Sequence, residues 1–151
     1  MRAIIQRVKR ASVTVEEQVI GNINQGLLVL IGFEAEENQD DFDWMIKKIT
    51  QLRIFNDAEG VMNLSLLDIK GELLVVSQFT LHANSKKGNR PSYIRAAKPD
   101  VAIPYYEKFV QEIQQSAPTK VQTGEFGADM QVSLLNDGPV TIILDSKQKD
   151  F

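Results

Sequence analysis

Two short segments carry side chains whose types and spacing suit acyl chemistry. In the first, Ser77-Gln78-Phe79-Thr80-Leu81, an apolar stretch ends in hydroxyl and amide side chains. A strand that stops there leaves consecutive backbone N–H groups at the rim of a sheet, and donors so placed can form an oxyanion hole for acyl transfer. A polar strand terminus without chemistry fits the same residues. In the second segment, Asn136-Asp137-Gly138-Pro139-Val140-Thr141 separates two apolar runs. An Asp-Gly-Pro reads first as a plain hairpin turn. Only about 5–6% of X-Pro bonds in folded proteins are cis, so nothing local requires a cis peptide at Gly138-Pro139. His82, the single histidine, could serve as a general base, but no nucleophile is evidently paired with it and it reads first as a loop histidine.

Most other catalytic signatures are missing. There is no Gly-x-Ser-x-Gly elbow, no glycine loop ending in Lys-Ser/Thr, no His-Glu-x-x-His and no cysteine. Disulfides, thiolate chemistry and cysteine zinc sites are thereby excluded, and one histidine supplies metal chemistry poorly. The net charge of −3 argues against a nucleic-acid partner on average. The average hides a partition, because residues 1–15 and 73–99 contain no acid yet hold nine of the 17 Lys and Arg. Arg2, Arg7, Lys9 and Arg10 lie in the first stretch; Lys86, Lys87, Arg90, Arg95 and Lys98 lie in the second. If the stretches adjoin, they form a positive surface able to hold an RNA end; otherwise they are chance clusters on solvated faces.

These segments need elements to position them. Residues Arg2 to Val15 alternate as a strand, with Ile5, Arg7 and Lys9 opposed to Ile4, Gln6 and Val8, and a turn at Glu16 to Gln18 returns the chain through Val19 to Ile23. Leu27 to Ile31 is a continuous apolar run, as expected of a central strand covered on both faces. Asn38 offers an N-cap, acids follow at Asp40, Asp41 and Asp43, and Phe42, Met45, Ile46, Ile49 and Leu52 recur at helical spacing. Trp44 reads as helix packing rather than a stacking platform. Asn56 to Gly60 reads as a loop, Leu73 to Gln78 as a buried strand, and His82 to Ser92 as a polar connection. A second helix is expected from Asp100, with Pro104 in its first turn, Tyr105, Phe109, Val110 and Ile113 as its inner stripe, and a stop near Pro118. The tail reads as strands at Lys120 to Thr123, Met130 to Leu135 and Val140 to Leu144, with turns at Gly124 to Gly127 and Asn136 to Gly138.

At 151 residues with 43% hydrophobic side chains, a single domain over residues 1–151 is expected. The longest apolar run, Leu27 to Phe33, is far short of the roughly 20 residues of a membrane span, and Met1 to Lys9 alternates instead of forming a signal-peptide core. A soluble, cytoplasmic protein with no membrane partner is expected.

Taken together, Ser77-Gln78-Phe79-Thr80-Leu81 and Asn136-Asp137-Gly138-Pro139-Val140-Thr141 resemble the paired signature of the D-aminoacyl-tRNA deacylases. The resemblance runs through the whole chain: Arg2 to Val8, Ala11 to Val15, Gly26 to Leu30, Lys87-Gly88-Asn89-Arg90-Pro91-Ser92, and Gly124 with Phe126 to Met130. The stretch His82 to Lys86 is its least family-like part.

The resemblance implies an α/β fold of mixed β-sheets in layers, barrel-like, with two main helices on one side. It implies hydrolysis of the ester of D-aminoacyl-tRNA, without metal or organic cofactor, by a homodimer with composite sites that receives the acceptor end. Such an ester is already activated, so the site must hold the carbonyl, stabilise the oxyanion and admit water. Backbone groups of Ser77, Gln78, Phe79 and Thr80 would polarise the carbonyl, the terminal 2′-hydroxyl would assist the water, and Thr80 would position rather than attack. Gly138 and Pro139 would form a cis peptide whose carbonyl oxygens enter the partner's site, accept from the substrate amine and leave no room for an L side chain. Glycine escapes such a filter, so glycyl-tRNA mischarged on tRNA(Ala) is an implied second substrate. Arg7 would steady that segment or bind phosphate, or else is an outward strand arginine. Asn136 is a candidate support, Lys87 and Arg90 are candidate RNA contacts, and Phe126 and Met130 line the pocket or the dimer core. The rival readings are a non-catalytic RNA-end binding module and an esterase using Thr80 with His82.

Overall fold

The computed structural model describes residues 1–117 and 119–150. Strand β1 (Arg2–Val15) turns through Glu16 and Glu17, both left-handed with φ of 47° and 65°, into β2 (Gln18–Ile23), and β3 (Gly26–Gly32) follows. Helix α1 (Gln39–Gln51) leads to β4 (Phe55–Asn56), β5 (Met62–Leu64), the single-turn α2 (Leu66–Ile69) and β6 (Glu72–Ser77). A 3-10 turn at Phe79–His82 precedes α3 (Pro99–Ser116), β7 (Val121–Thr123) and β8 (Gln131–Asp145).

Six strands form one sheet in the order β2-β1-β3-β6-β7, with β8 alongside β1. β3, β6 and β7 are mutually parallel and the other pairings are antiparallel. The sheet curls until β2 meets β7, where a Cβ on Gly21 would lie 2.6 Å from the Thr123 carbonyl oxygen. The result is the expected layered α/β fold, a nearly closed barrel-like sheet with the two main helices on one side. The register explains the apolar runs. Leu27, Val29, Ile31, Leu73 and Val75 face α1 and α3, while Leu28, Leu74 and Val76 fill the barrel interior.

The strand β1 changes face along its length. Ala3 and Ile5 point to the helices, but Val8, Ala11 and Val13 point into the barrel. The switch occurs where Val8 pairs with Asn136 and Arg10 with Leu135, leaving Lys9 as an extra residue. One inserted residue reverses every later side chain. Strict alternation, which groups Lys9 with Ile5 and Arg7, therefore fails there.

The helices follow local chemistry with two corrections. Asn38 caps α1 through a capping box with Asp41, as the sequence indicates. Asp41 also receives Lys147 Nζ at 2.5 Å, and Lys147 lies 3.7 Å from Glu37. Helix α3 starts at Pro99, so Pro104 is its sixth residue rather than part of its first turn. Its buried stripe is Ala102, Tyr106, Phe109 and Ile113, so Tyr106 takes the inner position expected of Tyr105. Burial pushes the Tyr106 phenol well above its usual pKa, and its hydroxyl donates to the Val75 carbonyl at 2.8 Å. The expected stop, Pro118, lies outside the described residues.

The tail carries the largest correction. Met130 to Leu144 was expected to form a hairpin; it forms one strand, β8, antiparallel to β1 throughout. Asn136 pairs with Val8 and Thr141 with Gln6, so residues 137–140 bulge opposite Arg7 alone. Pairing along β1 on both sides of the segment overrides the local turn signal. Inside the bulge, the Gly138-Pro139 peptide is cis.

Candidate active site

Because β3 and β6 are parallel and Ile31 pairs with Ser77, both strands end on the same rim. Their ends open into a cleft of about 580 Å³, mostly apolar in lining. Ser77, Gln78 and Phe79 form one wall; Phe126, Ala128 and Met130 form another; Lys98, Pro99 and Ala102 bring the start of α3 to its edge. Cleft and strand end therefore coincide, a placement suited to an acyl group and its reacting carbonyl.

The strand end is built for donors. The Gln78 N–H is used by the Ile31 carbonyl at 2.7 Å, and the first backbone bond of the 3-10 turn runs from Leu81 N–H to the Gln78 carbonyl. Phe79 and Thr80 precede that bond as the turn's first residues, and among the described residues their N–H groups have no acceptor. The Gln78 side-chain amide donates to Thr80 Oγ1 at 2.6 Å, fixing both side chains. Thr80 itself does not line the cleft, unlike the three residues before it.

Close packing sets this geometry. A Cβ on Gly32 would lie 2.6 Å from the Gln78 carbonyl oxygen and 3.1 Å from His82 Cδ2. His82, read as a loop histidine, closes the 3-10 turn and is buried at 3% exposure, with Nδ1 3.7 Å from Glu34 Oε1. The Thr80 hydroxyl is engaged by Gln78 and the imidazole faces Glu34, so no Thr80–His82 couple is formed. Phe79 and Tyr93 pair edge to face at the cleft mouth, 5.1 Å between centroids.

The remaining sequence candidates lie elsewhere. Gly138 and Pro139 are exposed and do not line their own chain's cleft. Arg7 is 6% exposed rather than outward: Nε donates to the Asp137 carbonyl at 2.9 Å and Nη1 to the Ile54 carbonyl at 2.6 Å and Asn56 Oδ1 at 3.3 Å. That burial removes it as a phosphate ligand and places it under the bulge. Asn136 bonds to Val140 within the bulge. Lys87 and Arg90 are exposed in the irregular segment closed by the Asn84–Ser92 bridge, away from the cleft lining. The two acid-free stretches adjoin: Val8, Ala11 and Val13 pack in one cluster with Leu74 and Val76, and Arg2 Nη1 donates to the Leu81 carbonyl at 2.8 Å. Trp44 packs against the core with Lys48 and Lys149 over its ring.

Sequence reasoning missed Gly32 and Tyr93 at the cleft and Ile54 and Asn56 beneath the bulge, and it grouped Lys98 with the basic stretch rather than with the cleft that it lines. Gly32 closing an apolar run was the one available signal; the others depend on tertiary contacts.

The sequence model described as D-Tyr-tRNA(Tyr) deacylase matches residues 4–145. The chain belongs to that family. Similar members include the D-aminoacyl-tRNA deacylase of Flavobacterium johnsoniae, 60% identical over 99% of this chain and 100% of the relative. That of Parabacteroides distasonis is 57% identical over the same shares. Among solved structures, the c-Myc DNA Unwinding Element Binding Protein superposes with a TM-score of 0.91 at 41% identity, covering 96% of this chain and 98% of that one. A probable eukaryotic D-amino acid tRNA deacylase, at 17% identity, shares the fold alone, with a TM-score of 0.82 over 95% and 97% of the two chains. The matched span of residues 4–145 contains both the strand end and the bulge.

Proposed function

We infer that this chain is a D-aminoacyl-tRNA deacylase, a carboxylic ester hydrolase that releases a D-amino acid and tRNA. The observation that carries the reading is the coincidence of the family's full-length match with a strand end, Ser77 to Phe79, that walls an apolar cleft. Water adds to the ester carbonyl carbon, the oxyanion accepts from the Phe79 and Thr80 N–H groups, and the bond to the ribose 3′-oxygen breaks as that oxygen takes a proton. Ser77, Gln78 and Phe79 hold the acyl carbonyl, and Thr80 positions through Gln78. The terminal 2′-hydroxyl assists the water, so neither a metal nor an organic cofactor enters the scheme. Phe126 and Met130 receive the apolar part of the substrate, while exposed Lys87 and Arg90 meet the acceptor end.

In this reading Gly138 and Pro139 exclude L-aminoacyl esters from a neighbouring copy. Their exposure on β8, away from their own cleft, supports a homodimer with composite sites. So do Leu135 and Ile143, apolar yet 41% and 51% exposed to either side of the bulge. Glycyl-tRNA mischarged on tRNA(Ala) passes the same filter because glycine has no side chain to reject. The whole chain acts as one domain in the cytoplasm; among the described residues no helix is long and apolar enough to cross a membrane.

The test compares deacylation of D-tyrosyl-tRNA and L-tyrosyl-tRNA with a chelator present. Rapid loss of the D ester alone is expected. A second reading, nucleic-acid binding without turnover, is favoured by the relative named for DNA binding and by the exposed cations at 86–98. Protection of both esters by folded protein would establish it in place of the first.

A further inference from the structure

The bulge that carries Gly138 and Pro139 is anchored at two ends by two different side chains. At its entry, Arg7 reaches from the buried face and donates from Nε to the Asp137 carbonyl at 2.9 Å. At its exit, Asn136 spans the bulge with a single amide. Its Oδ1 accepts from the Val140 N–H at 2.8 Å, and its Nδ2 donates to the Val140 carbonyl at 3.3 Å and to Thr141 Oγ1 at 3.2 Å. Gln6 Nε2 donates to the same Thr141 hydroxyl oxygen at 3.4 Å, tying the amide to β1.

Gln6 and Arg7 are adjacent on a strand and so project from opposite faces. The bulge is therefore held from one face by Arg7 and from the other by the Gln6–Thr141–Asn136 chain. A bulge leaves its extra residues without ladder partners, and here Gly138 and Pro139 are exposed while Asp137 and Val140 are half-buried. With only Arg7 in place, the Val140 peptide could rotate, and the preceding carbonyls would change direction with it. Asn136 fixes both polar groups of Val140 at once and removes that freedom.

We propose that Asn136 is a specificity-determining positioning residue, stapling the exit of the bulge so that the Gly138 and Pro139 carbonyls keep a single direction. Thr141 acts through Asn136 by orienting its amide. The proposal rests on the reading that Gly138 and Pro139 select against L esters, and its test separates the two.

Specificity constants for D- and L-tyrosyl-tRNA are measured for the full chain and for Pro139→Ala, Asn136→Ala, Thr141→Val and the Asn136→Ala/Thr141→Val pair. Asn136→Ala removes three hydrogen bonds and is expected to narrow the D-over-L preference at least about tenfold, the scale of one or two of them. Thr141→Val is expected to narrow it less, and the double variant to match Asn136→Ala, because coupled residues are not additive. A role confined to folding would lower both rates by one factor and leave the ratio unchanged, which overturns the proposal. An unchanged ratio in Asn136→Ala while Pro139→Ala loses discrimination overturns it as well. An unchanged ratio in Pro139→Ala instead defeats the reading beneath it. Should Asn136→Ala not fold, Thr141→Val carries the test, and a ratio equal to that of the unmodified chain counts against the staple.

Discussion

Arg7 and Asp137 face each other across the β1–β8 pair, the guanidinium Nε 2.9 Å from the Asp137 carbonyl oxygen and 3.5 Å from its carboxylate. The contact joins a buried cation to the bulge of the last strand. It also anchors the bulge to the Ile54 carbonyl, since the same guanidinium donates there from Nη1 at 2.6 Å.

Arg7→Lys keeps the charge but loses the planar fork that serves carbonyls in different directions. Each buried acceptor left without a donor costs about 1–3 kcal/mol. The variant is expected to unfold at lower urea concentration and to discriminate less between D and L esters. Equilibrium unfolding and paired deacylation rates check the two effects separately.

Gly32→Ala places a methyl group 2.6 Å from the Gln78 carbonyl oxygen, a backbone atom that cannot move without displacing the strand end. Overpacking of this kind costs about 1–3 kcal/mol. Deacylation is expected to fall by more than the folded fraction does, because the displaced residue precedes the Phe79 and Thr80 donors. Rates normalised to folded protein by circular dichroism measure the difference.

Thr80→Val removes the hydroxyl that accepts from Gln78 at 2.6 Å while keeping the side chain's shape. Loss of a positioning hydroxyl is expected to slow turnover by about tenfold, one hydrogen bond's worth. Loss of a nucleophile would abolish it. Single-turnover kinetics on D-tyrosyl-tRNA tell the two apart.

Asp41 titrates against the fold. Burial alone raises its pKa, but hydrogen bonds from Lys147, the Asn38 backbone and Ser146, with the Lys147 charge, outweigh it and hold the carboxyl at about 2, below its usual 3.8. A depressed folded-state pKa stabilises the protein above the unfolded value and loses that contribution as pH falls through the folded value. About 2 kcal/mol should therefore disappear between pH 4 and pH 2. Asp41→Asn should be less stable near neutrality and show a shallower acid limb in urea titrations across that range. Lys147 has the opposite sense: its pKa is raised, first by the hydrogen bond to Asp41, so its share persists below its unfolded value and is lost as pH rises through the folded one.

Much of this was legible in the sequence because it was local. The capped, amphipathic α1 and the two-sided apolar runs of β3 and β6 follow from periodicity, and the strand-end motif falls where an apolar run stops. The parity switch at Lys9 was hidden because only the partner β8 defines the bulge. Asp137-Gly138-Pro139 imitates a turn, and pairing with β1 on either side makes it a bulge instead. Tyr105 and Tyr106 differ by about 100° on a helix, and only the position of Val75 decides which one is buried. Residue type alone left Arg7 open between steadying the Gly-Pro segment, binding phosphate and pointing outward, because its acceptors, Ile54 and Asp137, lie far away in sequence.

The pairing of β1 with β8 joins Arg2 to Asp145, 143 positions apart. Contacts that distant form late, since the chain must close a long loop before they contribute. During translation, at about 5–20 residues per second, β1 therefore waits with one whole edge unpaired until the last strand leaves the ribosome. An open edge of 14 residues is a template for wrong partners, so nascent chains that stall before β8 should be the ones that depend on chaperones.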